Sequence, residues 1–147
     1  MAYILFVSSP GGHLVEAQEI SFLFKKKGLK DFKFVVHKVS KESLGQNFII
    51  APHAERDYRI IKQLIFAFKC LYTERPRVVI STGALISVTF CLAAKFFGIK
   101  FIYVESPTRI NKASLAGKIC YLMASRFYVR YHNLKKLMPN SIFIYKK

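Results

Sequence analysis

Apolar residues fall into two alternating patterns along this chain. Ile4 to Ser8 is a continuous apolar run that breaks into Pro10-Gly11-Gly12, as a short strand buried on both faces does when it enters a tight loop. From His13 to Lys27 the apolar positions Leu14, Ala17, Ile20, Phe22, Leu23 and Phe24 recur at near-helical spacing, and three lysines followed by Gly28 close the segment, as at a helix end. The alternation then repeats. Strands are predicted over Phe32–His37, Asn47–Ile50, Arg77–Ser81, Lys100–Glu105, Arg126–Arg130 and Ile142–Ile144. Helices are predicted over Tyr58–Glu74, Ala84–Phe97, Ala113–Ala124 and Asn133–Leu137, with Pro76 and Gly98 as stops.

Short apolar strands separated by helical periods specify a parallel sheet covered on both faces, which is a Rossmann-like, doubly wound α/β domain. Residues 1–147 hold no repeat, linker or low-complexity stretch and read as one domain. A chain of this length buries roughly two thirds of the surface it exposes when unfolded, enough for a full core. Function in such sheets sits at the carboxyl ends of the strands. Three loops qualify: Ser8–His13, Ser81–Ala84 and Glu105–Arg109.

Each loop has a chemical reading beside a plain one. Gly11 and Gly12, next to Ser9, let backbone amides and a helix N-terminus approach an anion, or form a tight turn that packs helix on strand. The later glycine of a dinucleotide fingerprint and the Gly-Lys-Ser/Thr of a P-loop are both missing. His13 opens the helix, as a hydrogen-bond acceptor or general base, or as a capping or solvent-facing side chain. Thr82 and Gly83 offer a hydroxyl and a glycine turn to a ligand, or only a turn. Glu105 leaves the end of a buried strand, where a carboxylate is costly unless paired or used. Arg109, four residues on, either pairs with it or receives a diphosphate through bidentate contacts. His37, His53 and His132 lack the spacing to form a metal site with His13, so neither metal nor cofactor is expected.

Composition adds a surface to this picture. Lys and Arg number 24 against 8 Asp and Glu, a net charge of +16, while 52% of residues are hydrophobic. Nucleic-acid binding accounts for the charge but not for the apolar content, and no helix-turn-helix, zinc or aromatic RNA-binding signature is present; a basic nucleic-acid-binding domain is the less favoured alternative, and no nucleic acid is expected. An anionic lipid surface accounts for both, since each Lys or Arg near it contributes roughly 1 kcal/mol. Arg59, Lys62 and Lys69 lie beside Ile61, Leu64, Ile65, Phe68 and Leu71, and Lys112 and Lys118 lie beside Leu115, Ile119, Tyr121, Leu122 and Met123. Both segments suit a lipid-facing helix or an ordinary amphipathic core helix. No stretch reaches the roughly 18 to 20 apolar residues that span a bilayer, and the N-terminal run lacks a basic leader and a cleavage site. Peripheral binding is therefore expected. Cys70, Cys91 and Cys120, odd in number and set among apolar residues, read as reduced core thiols of a cytosolic protein.

Three segments carry a family resemblance when taken together: Ser-Ser-x-Gly-Gly-His-Leu-x-Glu at Ser8–Glu16, Ser-Thr-Gly-Ala at Ser81–Ala84 and Tyr-Val-Glu-Ser-x-x-Arg at Tyr103–Arg109. In order and spacing they resemble the acceptor-side subunits of two-component glycosyltransferases. That family includes the PssD-type proteins of bacterial exopolysaccharide and capsule synthesis and the membrane-anchoring subunit of the eukaryotic dolichol-linked N-acetylglucosaminyltransferase. The resemblance implies the N-terminal half of a GT-B fold, similar to the acceptor domain of the peptidoglycan N-acetylglucosaminyltransferase MurG. It implies a donor-binding glycosyltransferase subunit as partner, a UDP-sugar donor and a polyprenyl-diphosphate-linked glycan acceptor, here undecaprenyl-linked. The transfer of a hexose or N-acetylhexosamine would be inverting and metal-independent.

By the same resemblance Gly11, Gly12 and His13 lie near the sugar diphosphate and Glu105–Arg109 face the acceptor; Ser9, Gly11, Gly12, Thr82 and Gly83 are expected to serve the donor phosphates, and Ser106, Thr108 and Arg109 to bind the acceptor. Glu105 or His13 is the base, with Glu105 slightly preferred. No counterpart of the eukaryotic subunit's N-terminal transmembrane helix is expected, which favours the bacterial branch, and Pro10 enters the first loop where many relatives run directly into glycine. A second reading is a non-catalytic subunit that recruits and activates its partner.

Overall fold

The computed structural model describes residues 3–37 and 47–144. In chain order the elements are β1 (Ile4–Ser8), α1 (Gly12–Lys26), β2 (Phe32–His37), β3 (Phe48–Ala51), α2 (Arg59–Glu74) and β4 (Val78–Ser81). Then come α3 (Leu85–Phe96), β5 (Lys100–Val104), α4 (Leu115–Tyr121), β6 (Arg126–Val129), α5 (His132–Leu137) and β7 (Ile142–Phe143). The expected elements are all present. The largest difference in extent is at α4: Ser114 caps its start by accepting the Gly117 N–H, and at its end the amides of Leu122 and Met123 turn back onto Ile119 and Cys120.

The strands form one parallel sheet in the order β3-β2-β1-β4-β5-β6-β7. β1 lies between β2 and β4, so the chain leaves β1 in one direction and β4 in the other. The helices that follow these strands diverge to opposite faces, and the gap between their first turns is the crevice of a doubly wound sheet.

Alternation within the strands sends side chains to both faces. Phe6 points to the α1 side, where Phe32, Phe34, Ile80 and Val104 meet Ala17, Leu14, Ile20 and Phe24 of the helix. Phe6 stacks on Phe34 at 5.2 Å and Phe34 on Phe48 at 4.9 Å. Leu5 and Val7 point the other way, into a core shared with Val79, Phe101, Tyr103, Leu71 of α2, Phe90 of α3, Cys120 of α4 and Leu134 of α5. Each large apolar side chain buried in this way contributes about 1.5–3 kcal/mol. Cys70, Cys91 and Cys120 are free and buried, and burial pushes the Cys70 thiol up to about 12. They are core thiols, as expected.

α2 is apolar on two sides. Ala67, Cys70 and Leu71 face the core, while Tyr58, Ile61, Ile65 and Tyr72 are exposed. Phe68 carries this outer stripe to the end of α3, 5.3 Å from the exposed ring of Phe96. Among the described residues no helix is long and apolar enough to cross a membrane.

α1 is tied to the far half of the sheet by charge. Arg130, directly after β6, donates to the carboxylate of Glu16 on α1, and Glu16 is only 5% exposed. Burial pushes the Glu16 carboxyl up from its ordinary 4.5, and the pull of Arg130 does not fully offset it. The folded protein therefore holds this proton to higher pH than the unfolded chain. The stability Glu16 contributes is full below the ordinary carboxylate range and falls as pH rises through the raised value. Glu16→Gln should remove that slope: urea midpoints measured from pH 4 to 8 should show the wild type losing ground to the variant as pH rises. Parallel profiles would contradict it.

Candidate functional site

The carboxyl ends of β1, β4 and β5 surround a cavity of about 220 Å³. His13 and Arg56 stand on its walls, Ala84 and Leu85 bring the start of α3 to it, and Glu105, Ser106, Thr108 and Arg109 come from the loop after β5. Ser114, Leu115, Ala116 and Ile119 close it with the start of α4.

His13 is fixed from behind. Its Nδ1 lies 2.8 Å from the carbonyl oxygen of Thr82, and the Thr82 hydroxyl donates to the His13 carbonyl at 2.7 Å. A carbonyl can only accept, so Nδ1 carries the hydrogen in this contact. In the neutral ring that leaves Nε2 as the open acceptor. Gly83 makes room for the ring: a Cβ there would lie 2.6 Å from His13 Cε1. The next residue, Ala84, has φ 70° and ψ 175°, a conformation nearly confined to glycine that costs of the order of 1–3 kcal/mol. The turn is held in this shape by Ser81, whose hydroxyl donates to the Val7 carbonyl at 2.7 Å and meets Ser87 at 2.6 Å. It delivers the uncapped start of α3 to the cavity.

Glu105 is 1% exposed. It accepts the Ser106 N–H at 3.1 Å, the Ser114 N–H at 3.2 Å and the Ser114 hydroxyl at 3.1 Å. The same hydroxyl oxygen accepts the Gly117 N–H at 2.9 Å and lies 3.2 Å from the Tyr103 hydroxyl. Burial, reinforced by the Glu105 charge, pushes the Tyr103 hydroxyl up, so it stays a neutral donor. The carboxylate thus anchors both ends of the 106–114 loop. Gly117 is required for the fit, since a Cβ there would lie 2.1 Å from Glu105 Oε2. From outside, Tyr131 donates to the Pro107 carbonyl at 2.6 Å and Asn133 to Asn111 at 2.7 Å.

His13, Glu105, Ser106, Thr108 and Arg109 therefore meet in one cavity, as the sequence motifs require. Glu105 and Arg109 do not pair: the carboxylate is engaged by Ser106 and Ser114 instead. Gly11 and Gly12 are exposed beside the cavity lining and Ser9 is nearly buried. The Thr82 side chain, expected to meet a ligand, is fully buried and spends its hydroxyl on His13; with Gly83 it positions the histidine. Lys62, Lys69, Lys112 and Lys118 are exposed and outside the cavity lining. Arg59, grouped with them in the sequence, is clamped by Asp57 through two 2.7 Å contacts, which neutralise it locally.

Arg56, Ser114 and Gly117 join the site without having been singled out by motif. Ser114 and Gly117 had signals: a serine at a helix start is a cap, and a glycine inside a helix costs about 1 kcal/mol unless packing requires it. Arg56, between two acids, reads as a locally paired side chain.

A family model described as "Oligosaccharide biosynthesis protein Alg14 like" matches residues 53–145. The chain belongs to this Alg14-like family. Relatives of the Alg14-like chain include the UDP-N-acetylglucosamine transferase subunit ALG14 of Rattus norvegicus, 31% identical over 85 residues, 54% of this chain and 39% of that protein. The chain thus spans about two fifths of that relative. It is also 28% identical over 94 residues, 64% of this chain and 26% of the other, to a Staphylococcus haemolyticus enzyme. That enzyme is named as UDP-N-acetylglucosamine--N-acetylmuramyl-(pentapeptide) pyrophosphoryl-undecaprenol N-acetylglucosamine transferase. Among solved structures, Acinetobacter baumannii MurG superposes with a TM-score of 0.72 at 13% identity, over 100% of this chain and 44% of that one. Methanocaldococcus jannaschii UDP-GlcNAc 2-epimerase in complex with UDP-GlcNAc and UDP does so with a TM-score of 0.79 at 13% identity, over 97% and 46%. These likenesses identify the fold as the expected Rossmann-like half of a GT-B architecture.

Gly83→Ala should displace the His13 ring and cost about 1–3 kcal/mol, as overpacking does. Imidazole nitrogen chemical shifts should show the Nδ1–H tautomer in the wild type and a mixture in Gly83→Ala. Gly12→Ala, where a Cβ would meet nothing within 4 Å, should leave the tautomer unchanged. A shared spectrum across all three proteins would refute the packing account.

Proposed function

We propose that this Alg14-like chain is the acceptor-binding subunit of a bacterial polysaccharide glycosyltransferase, acting with a donor-binding partner subunit. The acceptor is a polyprenyl-diphosphate-linked glycan, undecaprenyl-linked in this reading, and the donor is a UDP-sugar carrying a hexose or N-acetylhexosamine. The observation that carries the proposal is the fixed His13 ring beside a cavity that also holds Arg109, Ser106 and Thr108. Family membership and the named substrates of the relatives support it.

In the reaction the acceptor hydroxyl oxygen attacks the anomeric carbon of the donor sugar. The bond from that carbon to the diphosphate oxygen breaks, its electron pair leaves with UDP, and the configuration inverts. The hydroxyl proton passes to a base on the acceptor side. His13 suits this better than Glu105, because its Nε2 is unoccupied while the Glu105 carboxylate is surrounded by donors of the chain itself. Glu105 instead holds the loop that presents Ser106, Thr108 and Arg109 to the acceptor. Arg109 faces the acceptor diphosphate through bidentate contacts, and the exposed backbone of Gly11 and Gly12 faces charge on the donor side. Inversion and metal independence enter this reading from the family resemblance.

The exposed stripe of Tyr58, Ile61, Ile65 and Phe96, flanked by Lys62 and Lys69, suits an anionic bilayer surface. There apolar insertion and lysine attraction add, which fits peripheral attachment at the cytoplasmic face. Lys112 and Lys118 add charge on α4. The partner subunit supplies the other half of the cleft.

In the complex co-purified with the donor-binding subunit, His13→Ala should lower kcat roughly 10²- to 10⁴-fold, the usual contribution of a positioned base. Acceptor KM and complex stoichiometry should hold. Near-normal turnover with the complex intact would remove the base from this chain and leave a recruiting subunit.

A further inference from the structure

We propose that Arg56 is the second half of a diphosphate clamp with Arg109, so that the cavity selects a diphosphate over a monophosphate on the acceptor lipid; this rests on the acceptor-binding reading above. The two side chains line one cavity from two separate loops, Arg56 from the β3–α2 connection and Arg109 from the β5–α4 connection.

Neighbouring charges leave both guanidinium groups open. Arg56 lies between Glu55 and Asp57, yet Asp57 is held by Arg59 at 2.7 Å, and Glu55 faces Arg59 at 3.9 Å and His53 at 3.4 Å. Among the described residues neither Arg56 nor Arg109 has an ion-pair partner. Glu105 shares the cavity but is occupied by the Ser106 and Ser114 donors.

The segment that carries Arg56 is fastened to the sheet rather than left to drift. His53 contacts His37, the last residue of β2, at 2.9 Å between their Nδ1 atoms, and Gln63 donates to the Pro52 carbonyl at 3.0 Å. Asp57 accepts the Arg59 N–H at 2.9 Å and closes the turn into α2. A guanidinium is a planar fork that matches one phosphate. Two forks lining one cavity match two linked phosphates, whereas a monophosphate engages one. The start of α3, which also lines the cavity through Ala84 and Leu85, adds its dipole.

The test is calorimetric binding of farnesyl diphosphate and farnesyl monophosphate to the full chain and to Arg56→Gln, Arg109→Gln and Arg126→Gln. Arg126, exposed at the start of β6 and outside the cavity, controls for the general positive charge. The wild type and Arg126→Gln should bind the diphosphate at least about tenfold more tightly than the monophosphate, the scale of one charged hydrogen-bonded contact. Arg56→Gln should erase that preference with little change for the monophosphate. An intact preference in Arg56→Gln would overturn the clamp while leaving the acceptor reading in place. Absence of binding of either lipid to the wild type would overturn the acceptor reading and the clamp with it. Competition by UDP-N-acetylglucosamine that vanishes in Arg56→Gln would assign the clamp to the donor diphosphate and overturn the acceptor selectivity.

Discussion

His13 and Thr82 bond to each other twice across the gap between β1 and β4, imidazole to carbonyl and hydroxyl to carbonyl. A doubly wound sheet opens a crevice at this point because α1 and α3 leave in opposite directions. An open crevice alone would leave two independent loops. The reciprocal bonds join them and set the tautomer of the histidine, and they explain two costly local features. Gly83 is needed because any Cβ would strike the ring, and the strained backbone at Ala84 is the turn that returns the chain to α3 once Thr82 has been directed inward.

The second wall depends on a buried acid. In a chain with 24 basic and 8 acidic residues, Glu16 and Glu105 are both buried, and each fastens one side of the cleft. Glu16 locks α1 to Arg130 beyond β6. Glu105 gathers the Ser106 and Ser114 amides and so shapes the loop that carries Arg109. These acids serve structure, and among the described residues Arg56 and Arg109 line the cavity without an ion-pair partner.

Most of the fold was legible in the residue pattern, since apolar runs and helical periods alternate along the chain, except between Phe32–His37 and Asn47–Ile50, where two strands are predicted in succession. The loops at the strand ends follow from that order, so His13, Glu105 and Arg109 could be expected on one sheet edge. Directions were less legible. Motif spacing places Thr82 at the edge but does not say that its hydroxyl turns back to His13. Acids at 55 and 57 do not reveal that Arg59 and His53 engage them and leave Arg56 open. Likewise the two apolar sides of α2 follow from where α3 packs, which a single helix period does not contain.

The most direct test of the account is a crystal structure of the chain with a short-chain polyprenyl diphosphate-linked N-acetylglucosamine. The account predicts the diphosphate between Arg56 and Arg109 and a sugar hydroxyl within hydrogen-bonding distance of His13 Nε2. A diphosphate bound outside this cavity, or a sugar turned away from His13 with Nδ1 still on Thr82, would contradict it.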